Sequence, residues 1–298
     1  MELVAGYPHE TCKTSIGTRR QSLGTAGEAR STGSLLLQCN GPVATIVLHN
    51  ESRRNAMSRD MWQQFEPILD SLRDDESVKV VLVRGAGDNF SAGADISDLR
   101  NILHDPGTGR YDGGHVTAGE IALAGFPKPT IAAVDGYCIG GGWQIAGACD
   151  IRIASDRATF GITPAKMGII YPLTGIERLV QLAGPATAKY LLFSGDLIPA
   201  AEALALGLLA RVVHSSDFWA ETTEFADRLA SGSQLSIQAM KDLVNLISEG
   251  SDDLGKRNAE WQREMDDSGE PDIGIEAFLS KQTPDFKWTG RNARPFEI

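Results

Sequence analysis

Three consecutive glycines, Gly140, Gly141 and Gly142, precede Trp143 and Gln144 in the stretch GYCIGGGWQIAGACD at residues 136–150. Backbone without side chains lets a ligand approach closely and takes conformations closed to other residues. The first amides of a helix have no internal partner and sit at the positive end of its dipole. With WQIAGACD read as a helix, the glycines ahead of it supply free N–H groups for an anion or for a carbonyl oxygen that gains charge during a reaction. A phosphate loop fits less well, because neither GxxxxGK[ST] nor GxGxxG is present after the strand. Close helix packing alone would also explain three glycines.

A second stretch, NFSAGADISDL at residues 89–99, follows the apolar run VKVVLVRGAG and also joins small residues to an expected helix start. Alone it reads as a turn with an Asp cap. Together the two turns can hold one carbonyl oxygen between two N–H groups, which is an oxyanion hole. The first polar side chain after the glycines, Gln144, can orient a water or a carboxylate by hydrogen bonds. It can neither take nor give a proton as a general base or acid does.

The elements that must position these turns are those of an α/β protein. SLLLQCN and VATIVLHN read as β-runs separated by a Gly41-Pro42 turn. Ser58 can cap a helix to about Arg73 that repeats Met61, Phe65, Ile68, Leu69 and Leu72 on one face. Pro67 should kink it. Residues 78–87 and 129–136 read as buried strands, so strands alternate with helices. The polar, Gly-rich region 97–118 reads as a mobile flap, and beyond residue 184 the chain reads as nearly all helical. Residues 1–33 are poor in large apolar side chains and read as a disordered tail.

The chain has 298 residues and a formal charge of -11, from 28 Lys+Arg against 39 Asp+Glu. Binding to nucleic acid or to an anionic membrane is disfavoured overall. No apolar run reaches the ~18 to 20 residues that span a bilayer, and the N-terminus has no apolar signal core, so the expected location is cytoplasmic. The four cysteines, Cys12, Cys39, Cys138 and Cys149, form no CxxC pair and read as free buried thiols. The five histidines are scattered, so no protein-ligated metal centre is expected.

The residues NFSAGADI, DGYCIGGGWQIAGACDIRIAS, FGITPAKMGI, GPATAKYLLFSGDLIPAAEALALGLLARVV and AFLSKQTPDF, in that order over roughly residues 34–288, resemble the crotonase superfamily, the enoyl-CoA hydratase/isomerase family. The resemblance implies a spiral of ββα units over 34–228, followed by a helical region over 229–298 that packs trimers or dimers of trimers. It implies a CoA thioester substrate, with coenzyme A entering as part of that substrate and no separate cofactor. The thioester carbonyl would lie between the amides of Ala94 and Gly141, beside Gly140. Ala92, Asp95 and Ile96 would line the adenine and pantetheine path, Arg53 or Arg54 would stand near the CoA phosphates, and Phe278 and Lys281 would reach CoA, in many members from a neighbouring subunit. As bare residues these last four read equally as packing or solvated charge.

Family hydratases use two glutamates, and their positions hold Gln144 and Pro164 here. The stretch FGITPAKMGIIYPLTGIERL is similar instead to methylmalonyl-CoA decarboxylases, which implies that Thr163, Pro164 and Tyr171 shape the acyl end and that Tyr171 holds a substrate carboxylate. Gln144 departs from that pattern as well, because those enzymes carry glutamate there. The leading expectation is decarboxylation of a short malonyl-type thioester through an enolate. Hydration, double-bond isomerisation or thioester hydrolysis is the alternative, with Asp112 or Glu120 supplying a carboxylate from the flap. A non-catalytic acyl-CoA-binding protein is the third, and a two-amide hole argues against it.

Overall fold

The computed structural model describes residues 33–105 and 107–290. All of the expected tail except Gly33 lies outside these residues, as does Cys12. The chain opens with a hairpin, β1 (Ser34–Asn40) and β2 (Val43–His49), followed by α1 (Arg59–Arg73) and β3 (Val80–Gly85). Next come α2 (Leu99–Leu103), the two-residue strands β4 (His104–Asp105) and β5 (Arg110–Tyr111), and α3 (Gly114–Ala124). The glycine-rich centre follows as β6 (Thr130–Val134), β7 (Tyr137–Ile139), α4 (Gly141–Ala148), β8 (Ile151–Ser155) and β9 (Thr159–Gly161). The remainder is α5 (Leu173–Ser194), β10 (Leu197–Pro199), α6 (Ala200–Ala205), β11 (Arg211–Val213), α7 (Phe218–Ser231), α8 (Gln234–Glu249), α9 (Leu254–Ser268) and α10 (Glu270–Ser280).

Six strands form one sheet in the order β1-β2-β3-β6-β8-β11, parallel except for the β1–β2 hairpin. A second sheet, β10-β9-β7, stands beside it. The main sheet is buried on both faces, as parallel sheets require. Alternation shows it directly: Val81 and Val83 of β3 belong to one apolar cluster, with Trp62, Phe65 and Leu69 of α1, whereas Val80 and Leu82 face Phe218, Ala226 and Ala230 of α7. Each fully buried aliphatic side chain contributes about 1.5–3 kcal/mol of transfer free energy. The strand ends, where the glycine turns leave the sheet, are therefore held on a rigid support.

Pro67 lies inside α1 on its exposed face, where water can satisfy the freed carbonyl. Three expectations need correction. The region 97–118 is not one flap but α2, a small hairpin and the start of α3, with Ile102 and Val116 buried. The C-terminal part contains β10 and β11, three residues each and too short to show a period in the sequence. Cys39, half-buried on the edge hairpin, is disulfide-bonded, whereas Cys138 and Cys149 are buried free thiols. Helix α5 breaks at Gly184 (φ 75°, ψ 165°) and resumes at Pro185. Helix α7 runs through residue 228 to Ser231, and the last three helices follow Gly232.

Candidate active site

The loop after β3 is fixed by a short parallel pairing with residue 57. Met57 donates to the Gly93 carbonyl (2.7 Å) and accepts from the Asp95 amide (2.8 Å). Because alternate residues of a strand point their amides to opposite sides, Ala94 N–H is turned away from Met57. Ser91 locks the other flank, donating to the Asn55 carbonyl (2.8 Å) and accepting from Gly93 N–H (3.1 Å).

The glycine turn comes to meet this loop. Gly140 has φ 52° and ψ -109°, outside the range of ordinary L residues. A Cβ on Gly142 would lie 2.6 Å from the Ser91 carbonyl oxygen, so only glycine permits the approach. A Cβ built on Gly141 would lie 3.2 Å from the Ala94 nitrogen, and one on Gly93 would lie 3.3 Å from the Gly141 nitrogen. The two amides are thus neighbours, and neither donates a hydrogen bond among the described residues. Both open on a cavity of about 130 Å³.

The cavity gathers most of the predicted site. Ala92, Ala94, Ile96, Gly140 and Gly141 line it beside the two amides, and Gln144, Thr163, Pro164 and Tyr171 line it as well. Apolar walls come from Leu99, Leu103, Val116 and Ile169. Asp95 does not line it but caps a short turn and pairs with Arg53. Burial raises the Asp95 pKa, yet hydrogen bonds from Ser97 and the Arg53 charge outweigh this and hold it below the usual range. Arg54 turns elsewhere and stacks its guanidinium 5.2 Å from the centre of the Tyr137 ring. Phe278 is 83% exposed on α10 and Lys281 ends that helix; neither lines this cavity within one chain.

At the far end lies a buried polar network. Gln144 Nε2 donates to Glu120 Oε2 (2.7 Å), Thr174 Oγ1 donates to the same oxygen (2.6 Å), and Arg178 Nε donates to Glu120 Oε1 (3.0 Å). Glu120 is 1% exposed. Its oxygens are engaged by three donors, including a cation, so it is a structural anion and not a free base. Tyr171, 5% exposed, donates its hydroxyl to the Gly140 carbonyl (3.0 Å). That carbonyl belongs to the same planar peptide as Gly141 N–H, and the two point opposite ways. Tyr171 therefore orients and polarises one donor of the hole. Burial, then the charge of Glu120, pushes the tyrosine pKa well above its usual value, which keeps the hydroxyl protonated.

Trp62, Asn55 and Arg178 were not picked out from the sequence as site residues. Trp62 wedges between α3 and the glycine turn, 3.1 Å from a Cβ position on Gly119 and 3.0 Å from one on Gly141. Asn55 is fully buried in the left-handed conformation (φ 56°) and its Nδ2 ties the carbonyls of Ala86 (2.8 Å) and Asn89 (2.7 Å). A buried Asn in a polar loop has no periodic signal. Glu120 was named in the sequence only as a flap carboxylate; it stands instead on α3, facing inward. Asp112, the other flap carboxylate, stays exposed and accepts from Thr108 (3.2 Å).

This geometry, a loop amide and a helix-start amide side by side over an apolar slot, could hold one carbonyl oxygen between two N–H groups. The enoyl-CoA hydratase/isomerase family model matches residues 38–289, and the chain belongs to that family. It is 34% identical to a short-chain-enoyl-CoA hydratase of Clostridium acetobutylicum over 71% of this chain and 81% of the relative. It is 32% identical to a crotonyl-CoA hydratase of Syntrophomonas wolfei over the same shares, 71% and 81%. A crystal structure of an enoyl-CoA hydratase/isomerase family member superposes with TM-score 0.81 at 44% identity, covering 86% of this chain and 97% of the other. The fold is the crotonase fold. Among the described residues no helix is long and apolar enough to cross a membrane.

Proposed function

We propose that the cavity binds a short-chain 2-enoyl-CoA and catalyses reversible addition of water across its double bond. The observation that carries the reading is the adjacency of the unpaired Ala94 and Gly141 amides. A thioester oxygen held there gains negative charge as water adds to the β-carbon, and fixed N–H donors stabilise that charge. The volume of about 130 Å³ suits a short acyl chain, and the curated relatives named above carry hydratase names. Gln144 Oε1 and the lone pairs of Tyr171 Oη would accept from one water and aim its oxygen at the β-carbon, its proton passing to the α-carbon. With no carboxylate among the described residues that line the cavity, the rate should fall about 10²–10⁴-fold below that of a site with a positioned acid or base.

Decarboxylation of a malonyl-type thioester is the second reading. Thr163, Pro164 and Tyr171 do share the cavity, and loss of CO₂ requires no base. Against it, Tyr171 already spends its single proton on Gly140, so it offers no donor to a substrate carboxylate. Arg53, paired with Asp95 next in sequence to the cavity-lining Ile96, would be the cation for the CoA phosphates. Assembly as a trimer, or a dimer of trimers, is supported by the exposed apolar side chains of α8 and α10, among them Val244, Ile247, Ile275 and Phe278. The test is incubation with crotonyl-CoA and, separately, methylmalonyl-CoA, with products followed by mass spectrometry. Formation of 3-hydroxybutyryl-CoA with methylmalonyl-CoA untouched is expected. Propionyl-CoA with crotonyl-CoA untouched would replace hydration by the second reading.

A further inference from the structure

Helix α1 touches both halves of the donor pair. Just ahead of its Ser58 cap, Met57 grips the Ala94 loop through the Gly93 carbonyl (2.7 Å) and the Asp95 amide (2.8 Å). At the end of its first turn Trp62, whose amide donates to the Ser58 carbonyl (3.1 Å), meets the glycine turn. The Trp62 Cζ2 lies 3.0 Å from a Cβ position on Gly141, and its Cε3 lies 3.1 Å from one on Gly119 of α3. These carbons are opposite corners of the six-membered ring, so the ring fills the gap between two backbones, and a side chain at either glycine would press on it. The same Cβ position on Gly141 stands 3.2 Å from the Ala94 nitrogen. The ring therefore borders the space where the two amides meet.

The indole nitrogen is a second, independent observation. Trp62 is 2% exposed, and its Nε1 has no hydrogen-bond partner among the described residues. A buried donor left unpaired destabilises the fold, and phenylalanine or leucine would bring no such donor. What the position needs is the breadth of the ring rather than its N–H. We infer that Trp62 is a positioning residue that sets the separation of the two amides: α1 acts as a ruler, with Met57 holding the Ala94 loop at one mark and the indole holding the Gly141 turn off α3 at the other. The inference rests on the reading of Ala94 and Gly141 as the donors to one carbonyl oxygen. A narrower side chain lets the glycine turn settle toward α3, and Gly141 N–H then leaves the position that a shared oxygen requires.

The experiment pairs crotonyl-CoA kinetics with ¹³C NMR of bound [1-¹³C]butyryl-CoA, whose carbonyl resonance moves downfield when donors polarise it. In the wild type that shift is expected. Trp62→Leu should lower kcat and kcat/KM together by about 10²-fold and bring the resonance back toward its value in water, with Trp62→Phe between the two. Leu69→Ala is the comparison: that side chain is buried further along α1, so its loss lowers the urea midpoint while kcat and the resonance stay as in the wild type. Should the ring variants not fold, Gly119→Ala presses on the ring from its other edge with Trp62 in place, and the same loss of kcat and return of the resonance are expected. Wild-type kcat and resonance in these Trp62 and Gly119 variants overturn the inference, as does a Leu69→Ala enzyme that loses both as Trp62→Leu does. A shifted, Trp62-dependent resonance without turnover of crotonyl-CoA would sink the proposed reaction and leave this inference standing. A wild-type resonance that does not shift would overturn both.

Discussion

The two ends of the cavity are made of different material. The end proposed to take the thioester is backbone: Ala94 and Gly141 N–H, fixed by Met57, Ser91 and the sheet beneath. The acyl end is side chain: Gln144, Tyr171 and Thr163, with Glu120 and Arg178 behind. A backbone site changes only when the chain path changes, because every residue has the same N–H. A side-chain site changes with one codon. This division lets one fold keep its enolate stabilisation while the groups over the β-carbon vary, and it accounts for an intact hole beside an altered acid–base pair.

Substitutions can break the comparison at either end. Gly142→Ala should have the largest effect, because its Cβ meets the Ser91 carbonyl at 2.6 Å and pushes the glycine turn off the Ala94 loop. A fall in kcat of about 10²–10³-fold on crotonyl-CoA, with the circular dichroism spectrum retained, is expected from loss of one oxyanion donor. Arg178→Met should act on stability, leaving the buried Glu120 carboxylate without its cation. A loss of about 3 kcal/mol, read from urea midpoints, is expected. Tyr171→Phe removes the bond that orients the Gly140–Gly141 peptide; about 1 kcal/mol of stability and about tenfold in kcat should go with it.

The smallest effect lies outside the cavity and serves as its control. Lys128 Nζ caps the end of α1 through the carbonyls of Leu72 (2.7 Å) and Asp75 (2.8 Å), and burial pushes its pKa down to about 8 against the favourable charges of Asp75, Asp74 and Glu76. Between that value and the ordinary 10.5 of the unfolded chain, the folded state binds fewer protons. Stability from this group therefore rises with pH across that window. Denaturation of wild type relative to Lys128→Met at pH 7.5 and 9.5 should show a relative gain on the order of 1 kcal/mol, with crotonyl-CoA kinetics unaltered.

What the sequence disclosed follows the same division. Glycine at 140, 141 and 142 and the small residues at 91–94 are visible in a string of letters, because only glycine readily takes the φ/ψ pair of residue 140 (52°, -109°) or allows the contact at 142. The strand–helix alternation and the face of α1 were legible from period alone. Glu120 was not, since a carboxylate in a polar, Gly-rich segment reads as solvated. Its inward orientation comes from Val116 and Leu123 burying the same side of α3. The role of Tyr171 was legible as a position but not as a contact. A side chain expected to face a substrate carboxylate instead holds the peptide that carries the donor, a fact of geometry between residues 31 apart.

Infrared difference spectroscopy with [1-¹³C]butyryl-CoA observes directly the carbonyl proposed to lie between the two amides. On binding, the labelled thioester stretch should move to lower wavenumber, because two fixed donors polarise the carbonyl, and Gly142→Ala should return it toward the value in water. A bound ligand whose carbonyl stretch stays at its solution position would contradict the account.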